Sequence, residues 1–189
     1  MRILGVSGSP RKNGNTEIVI NEVMKEAESA GFESETFLLS EQRVEPCIAC
    51  GRCFETGACA VQDDMQKLYN MLARADAIVL GSPVYFGSVS AQMKAVMDRM
   101  FSLLQRRSLK GKIAGVCVVT RRLGAIQARS LLYSFCITHG MIVAGGSIGF
   151  GREPGEVLTG TGGGIGMTAM DEARLMAAEV ARLTKRLRE

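Results

Sequence analysis

The sequence predicts an α/β fold in which a five-stranded parallel sheet is covered by helices on both faces. Five short apolar runs recur along the 189 residues, and each is followed by a stretch whose apolar residues return at helical spacing. The third and fourth runs are almost free of polar residues, as expected for strands buried on both sides. This alternation is typical of parallel sheets joined by right-handed helical crossovers.

The elements follow one another without a linker or an internal repeat, so residues 1–189 are predicted to form a single domain. Strands are predicted at residues 3–6, 35–39, 77–81, 113–119 and 141–144, the last running on toward residue 148. Helices are predicted at residues 17–30, 63–75, from about 90, 125–139 and 168–187. Asp63 and Gln66 are predicted to form a capping box at the start of the second helix.

Composition limits the possible partners. A net charge of +4 with only 22% charged residues is too mild to indicate nucleic-acid binding. No apolar run is long enough to span a membrane, and the start at Met1 runs directly into a strand pattern with no secretory signal. We therefore expect a cytoplasmic protein that binds neither nucleic acid nor a membrane.

Four of the six cysteines lie close together, in the spacing C-x2-C-x2-C-x5-C. They are Cys47, Cys50, Cys53 and Cys59. The two short gaps let one turn present three sulfurs to a compact centre, and Gly51 and Gly57 give the backbone freedom to wrap around it. Loops that hold [4Fe–4S] clusters use this kind of run. The spacing favours an iron–sulfur cluster on a loop inserted at about residues 45–62.

Two other states of these cysteines stay open. A structural zinc site usually needs a second cysteine pair, or histidines, further along the chain, and the only histidine here is His139. A disulfide framework belongs to short secreted chains. Zinc and free, redox-active thiols are therefore the alternatives to a cluster.

The turn between the first strand and the first helix is polar and suits an anion. It matches neither G-x-G-x-x-G nor the P-loop motif. It carries hydroxyl, amide and guanidinium groups next to a predicted helix N-terminus, on Ser7, Ser9, Arg11, Asn13, Asn15 and Thr16. Such a turn suits a terminal phosphate.

Two adjacent aromatic residues follow the third strand, in a chain that is only 5% aromatic. This second loop consists of Pro83, Val84, Tyr85, Phe86 and Gly87. The aromatics suit the flanks of a flat heteroaromatic ring, or alternatively a hydrophobic plug or a dimer contact. The fourth strand ends at Thr120, Arg121 and Arg122. A cation there could stabilise an anionic ring, or it could lie in an ordinary solvated loop.

Three segments together, S-G-S-P-R-K-N-G-N-T, C-x2-C-x2-C-x5-C and G-S-P-V-Y-F-G-S-V-S-A-Q-M-K, resemble the iron–sulfur flavoproteins. These are flavodoxin-like NAD(P)H-dependent FMN reductases. The resemblance covers nearly the whole chain in order. It implies a flavodoxin-like three-layer fold, bound FMN, a [4Fe–4S] cluster, and assembly as a homodimer or homotetramer.

The resemblance also implies roles for individual residues. Phosphate contacts fall on Ser9, Arg11, Asn13, Asn15 and Thr16. Contacts to the flavin ring fall on Pro83, Val84, Tyr85, Phe86 and Gly87, with Thr120 and Arg121 nearby. Cluster ligands fall on Cys47, Cys50, Cys53 and Cys59.

No Ser-His-Asp set, carboxylate pair or lysine nucleophile is evident, so the chemistry is expected to belong to cofactors. We predict an electron-transfer flavoprotein that passes electrons between a one-electron donor, such as ferredoxin, and a small acceptor. One alternative is an NAD(P)H-dependent FMN or quinone reductase whose cysteines bind zinc or no metal. Another is a regulatory protein that binds FMN to sense redox state.

Some conspicuous residues are expected to have structural roles only. Cys117 and Cys136 fall in apolar segments and are predicted to be small core residues. His139 is predicted to cap a helix C-terminus as a cation. Residues 145–166 contain ten glycines and are predicted to form a mobile segment, either a lid or intersubunit arm or a plain connector.

Overall fold

All five strands lie in one parallel sheet in a computed structural model of the chain, which describes residues 1–164 and 166–188. The strands are β1 (Arg2–Ser7), β2 (Glu33–Leu38), β3 (Ala77–Pro83), β4 (Ile113–Thr120) and β5 (Ile142–Phe150). Their order across the sheet is β2-β1-β3-β4-β5. This is the flavodoxin-like order, in which ligands bind where the direction of winding switches, between β1 and β3. The predicted fold class is confirmed.

Seven α-helices lie within the described residues. They are α1 (Asn15–Ser29), α2 (Arg52–Thr56), α3 (Met65–Arg74), α4 (Ala91–Arg99), α5 (Phe101–Gln105), α6 (Ala125–Thr138) and α7 (Ala169–Arg186). The short helices α2 and α5 were not expected from the sequence. None of the described helices combines the length and apolar character required to cross a bilayer.

The helices divide into two layers, each with its own hydrophobic core. On one face of the sheet, α1 and α7 bury Ile20, Val23 and Val180 against the strands. On the other face, α3, α4 and α6 bury apolar side chains that include Leu68 and Met93. Full burial of a side chain of this size contributes roughly 1.5–3 kcal/mol, so these faces hold the sheet between the helices.

The glycine-dense segment is only partly a loop, which corrects the prediction of a mobile segment at residues 145–166. Strand β5 runs through the first part of it to Phe150, and a 3₁₀ turn spans Glu156–Leu158. A Cβ at Gly149 would lie 2.6 Å from the side chain of Val157, so glycine permits close packing there. Glycine at this position therefore allows the following turn to approach β5 closely. Ile165 in this segment and Glu189 at the chain end lie outside the described residues.

The predicted capping box at α3 is also wrong. The amide of Gln66 donates to the carbonyl of Val61 at 2.9 Å and does not reach back to Asp63. The helix begins at Met65, after an N-cap at Asp64 that makes no side-chain cap hydrogen bond. The carboxylate of Asp63 does accept from the backbone N–H of Met65 at 3.0 Å, as predicted for a cap. It also pairs with the buried Arg99 across the fold, an interaction that local spacing could not reveal.

We expect Gly81→Ala to lower the free energy of unfolding by about 1–3 kcal/mol, because it overpacks a dense core. A Cβ at Gly81 would lie 2.8 Å from Cγ1 of Ile20 and 3.2 Å from Cγ2 of Thr16. Urea denaturation measures the effect. Gly145→Ala is the matched control, since its Cβ would meet only Met176, at 3.7 Å. Equal stability of the two variants would contradict the expectation.

Candidate functional site

Four loops at the carboxyl edge of the sheet, after β1, β3, β4 and β5, enclose a cavity of about 600 Å³. It lies beside the switch between β1 and β3, where a ligand is expected in this fold. The predicted site residues that line it are Ser9, Arg11, Asn15, Thr16, Pro83, Val84, Tyr85, Phe86 and Arg121. The structure thus brings together residues more than a hundred positions apart in the sequence.

Three predicted site residues do not line this cavity and shape its loops instead. The backbone N–H of Asn13, which has a positive φ of 53°, donates to Oε2 of Glu17 at 2.9 Å. The hydroxyl of Thr120 donates to the carbonyl of Leu123 at 2.9 Å. Gly87 also has a positive φ, of 75°, at the tip of the aromatic loop. The two hydrogen bonds and the positive φ of Gly87 therefore each shape a turn.

Asn15 lines the cavity, but its side chain is engaged by the loop after β5. Its Nδ2 donates to the carbonyl of Glu153 at 2.9 Å, and its Oδ1 accepts from the backbone N–H of Gly155 at 2.8 Å. The amide therefore ties the start of α1 to the last loop of the site.

We expect Asn15→Ala to lower the free energy of unfolding by about 1–3 kcal/mol, because two part-buried hydrogen bonds to the backbone of the last loop are lost. Amide hydrogen exchange in residues 151–158 should become faster as that loop is released. Asn21→Ala is the control, since Asn21 is exposed on the same helix. An unchanged exchange rate at residues 151–158 would show that Asn15 does not hold the loop.

The electrostatics of the cavity favour an anion. Arg11, Arg121 and Arg152 line it, and none of the described lining residues is Asp or Glu. Helix α1 begins at the cavity, and no side chain of the described residues caps its first turn. Its free backbone N–H groups and the positive end of its dipole suit a phosphate.

The loop after β5 was missed by sequence reasoning. It contributes Gly151, Arg152 and Pro154 to the cavity, and the carbonyl of Arg152 accepts a hydrogen bond from Arg11 at 3.3 Å. This loop could have been predicted, since the carboxyl ends of all strands in a parallel sheet lie at the same edge. The glycine-dense segment was instead interpreted as mobile, so this loop was not assigned to the cavity.

The aromatic loop is a tight turn that presents a ring at the cavity rim. Tyr85 and Ser88 exchange two backbone hydrogen bonds, of 2.9 and 3.0 Å, around Phe86 and Gly87. Both central residues have positive φ, as in a type I′ turn, a conformation that is strained for phenylalanine. The Phe86 side chain is fully exposed. A strained turn with an exposed ring indicates a binding role.

The cysteine loop forms a second cavity, of about 580 Å³, and all four of its cysteines line it. Cys47 and Cys50 are exposed, while Cys53 and Cys59 are half-buried. Within residues 1–164 and 166–188, no three cysteine, histidine or carboxylate side chains come together as a metal-binding group. Four thiols among the residues that line this cavity nevertheless provide the soft donor set that an iron–sulfur centre requires.

Arg99 lies beneath this loop, and sequence reasoning missed it. The feature of the sequence that could have revealed Arg99 is the presence of a charged residue beside Val96 and Met100, on the apolar face of α4. Burial alone would lower the pKa of Arg99, but the ion pair with Asp63 raises it above its ordinary value. Burial likewise opposes ionisation of Asp63, yet hydrogen bonds from Arg99 and two backbone N–H groups hold its pKa below the usual range. Both groups are therefore charged.

Cys117 and Cys136 are buried core residues, as predicted. Burial raises the pKa of each thiol to about 12, so neither is a reactive thiolate near neutral pH.

The prediction for His139 is wrong in its charge. The residue does occupy the C-cap of α6, but burial lowers the pKa of its imidazole, and its ring packs on Phe135 with centroids 4.6 Å apart. A buried ring without a carboxylate partner among the described residues is neutral at pH 7. It therefore ends the helix by packing and cannot act as the predicted cation.

Comparison with known proteins defines the family. The family model for NADPH-dependent FMN reductases matches residues 1–154. The chain is 35% identical to an iron–sulfur flavoprotein of Methanocaldococcus jannaschii, covering 98% of this chain and 100% of that protein. It is 36% identical to an iron–sulfur flavoprotein of Methanosarcina thermophila, covering 100% of both. The chain belongs to the iron–sulfur flavoproteins of the NADPH-dependent FMN reductase family.

Structural similarity supports the fold of this iron–sulfur flavoprotein. A flavodoxin, WrbA-like protein from Agrobacterium tumefaciens superposes with a TM-score of 0.64 at 18% identity, over 98% of this chain and 97% of that one. The flavodoxin-like fold is thereby confirmed. Membership of the family makes the protein a flavin-dependent oxidoreductase.

Proposed function

We propose that this protein binds FMN in the cavity at the carboxyl edge of the sheet and a [4Fe–4S] cluster on its cysteine loop. It would pass electrons between a one-electron donor such as a ferredoxin and a small acceptor. The observation that carries the proposal is the presence of both sites in one small fold. The cavity lined by three arginines and an aromatic rim suits FMN, and four thiols are among the residues that line the second cavity.

The FMN phosphate would be held by Ser9, Arg11 and the first turn of α1, because these groups surround the uncapped helix N-terminus. Tyr85 and Phe86 would flank the ring at the cavity rim, and Arg121 would lie close enough to stabilise negative charge on it. Bound FMN supplies the capacity to exchange either one or two electrons. The chain's own part is to hold the phosphate, orient the ring and limit access of water.

The cluster would be held by the thiolates of Cys47, Cys50, Cys53 and Cys59, and it would supply one-electron transfer. Thiolates are suitable ligands for such a cluster. The loop would have to change conformation so that its four sulfur atoms lie closer together when the cluster binds. A reducing compartment keeps such thiols free, which supports a cytoplasmic location.

A homodimer or homotetramer is part of the proposal. Ile48, Phe54 and Phe86 are large apolar side chains that are mostly or fully exposed, and all three lie at the two proposed sites. Exposed apolar groups of this kind mark contact surfaces, so an assembly that covers them would also bring flavin and cluster sites of different subunits together. Light scattering on the purified protein tests the assembly, and a monomer would contradict it.

An NAD(P)H-dependent flavin or quinone reductase whose cysteines bind zinc or nothing is the alternative. It is favoured by the family description and by the separation of the four thiols in the described residues. A redox sensor that binds FMN is the second alternative, and sustained turnover with any acceptor would exclude it.

Anaerobic purification followed by analysis of flavin, iron, sulfide and zinc tests the proposal. We expect FMN together with about four iron and four sulfide per chain, and a broad visible absorbance from the cluster. Bound zinc with full NAD(P)H oxidation would support the reductase alternative instead. Colourless protein without flavin or iron would contradict both.

A further inference from the structure

We propose that Arg99 is a positioning residue for the cluster. It fastens both ends of the cysteine loop to α4 and donates a hydrogen bond to the sulfur of Cys59. This inference rests on the proposed function, because it assigns Cys59 to a cluster.

The guanidinium of Arg99 joins the two ends of the loop. Its Nη1 donates to the carbonyl of Glu45 at 2.9 Å, two residues before Cys47. Its Nη2 donates to the carbonyl of Val61 at 2.9 Å, two residues after Cys59. The segment that carries all four cysteines is therefore closed at its base by one side chain.

Asp63 fixes the guanidinium in this position. The pair is bidentate, with Nη1–Oδ2 and Nη2–Oδ1 distances of 2.8 and 3.1 Å. The side chains of Arg99 and Asp63 are only 0% and 6% exposed. Asp63 also accepts from the backbone N–H of Glu45 at 2.8 Å, which holds the entry to the loop a second time. A buried guanidinium that makes two hydrogen bonds to one carboxylate has little freedom to move.

The fifth N–H of the guanidinium points at a cysteine. Nε of Arg99 donates to Sγ of Cys59 at 3.0 Å. An arginine has five N–H donors, so the observed partners use its whole capacity. Hydrogen bonds to ligand sulfurs and nearby charge tune the potentials of iron–sulfur clusters. A hydrogen bond donated to a ligand sulfur favours the more negative, reduced form, so we expect this bond to raise the reduction potential.

Arg99→Lys tests the role, because lysine keeps the charge but cannot reproduce the planar fork. We expect FMN to stay bound, affinity for iron to fall roughly 10–100-fold, as for other outer partners of metal ligands, and the potential of any remaining cluster to become more negative. Arg106→Lys is the matched control. Arg106 is exposed and contacts the same loop at its tip, donating to the carbonyl of Thr56 at 2.8 Å, without touching a sulfur.

Spectroelectrochemistry of the anaerobic protein gives the potential, and iron and flavin analysis give the cofactor content. An Arg99→Lys variant with wild-type iron content and potential would overturn the inference while leaving the proposed function intact. Wild-type protein that binds no cluster would overturn the proposed function itself. The two failures are thus distinguishable.

Hydrogen exchange on iron-free wild-type protein provides a test that needs no variant to fold. The N–H groups of Arg43, Glu45, Asp64 and Met65 are hydrogen-bonded across the base of the loop, so they should exchange much more slowly than those of residues 48–52. Equally fast exchange throughout residues 43–65 would show that the base of the loop is not clamped, and would overturn the proposal.

Discussion

Cys50→Ser should yield protein that retains FMN but has lost the cluster absorbance and most of its iron. A serine hydroxyl is a poor ligand for a soft iron–sulfur centre, so the effect should exceed the 10–100-fold loss of affinity that follows removal of an outer partner. Cys50 is exposed, so the substitution should leave the fold and the FMN cavity unchanged. Anaerobic visible spectra with iron and flavin analysis measure both cofactors.

Cys136→Ala is the control for the loss of a cysteine as such. Cys136 lies on the buried face of α6 and is not part of the cysteine loop, so iron content should stay at the wild-type value. Full iron content in Cys50→Ser would remove Cys50 from the ligand set. Loss of iron from both variants would point to general destabilisation.

Arg11→Glu should weaken FMN binding roughly 100-fold. The variant would remove the proposed hydrogen bond to the FMN phosphate, worth about 1.5–3 kcal/mol, and it places a repelling carboxylate at the cavity. The exposed position of Arg11 makes damage to the core negligible. Titration of the flavin-free protein with FMN, followed by flavin fluorescence, gives the dissociation constant.

Lys12→Glu makes the same change of charge one residue further along. Lys12 pairs with Glu41 at 3.2 Å, its side chain is 66% exposed, and it does not line the cavity. We expect its dissociation constant for FMN to change by only about twofold, as for an ordinary surface substitution. Equal losses of FMN affinity in the two variants would mean that Arg11 acts through the overall electrostatic field of the protein and not by contact with the phosphate.

Much of the architecture could be predicted because its signals are local. The unbroken apolar run at Ala77–Leu80 and the helical stripe of α7 needed only their own neighbours to be recognised. Most of the candidate cavity followed from one rule about parallel strands, since loops at their carboxyl ends must meet. The contributions of Ser9 and Tyr85 to one cavity were predicted on that basis.

Other features depended on partners that are distant in the sequence. Asn15 has the residue type of a phosphate ligand, but its amide is taken by Glu153 and Gly155. The position of His139 suggested a cation, but burial against Phe135 favours its neutral form. In both cases the residue type was recognised, and its surroundings were not.

By itself, the sequence determined the order of strands and helices, the grouping of four cysteines and the polar and aromatic loops at strand ends, because spacing along the chain encodes them. Only the tertiary structure decided that Arg152 joins the cavity and that Arg99 closes the cysteine loop. Those contacts join segments brought together by the packing of α4 and β5. Hydrogen-bond partners and burial are properties of three-dimensional neighbours, and no local periodicity specifies them.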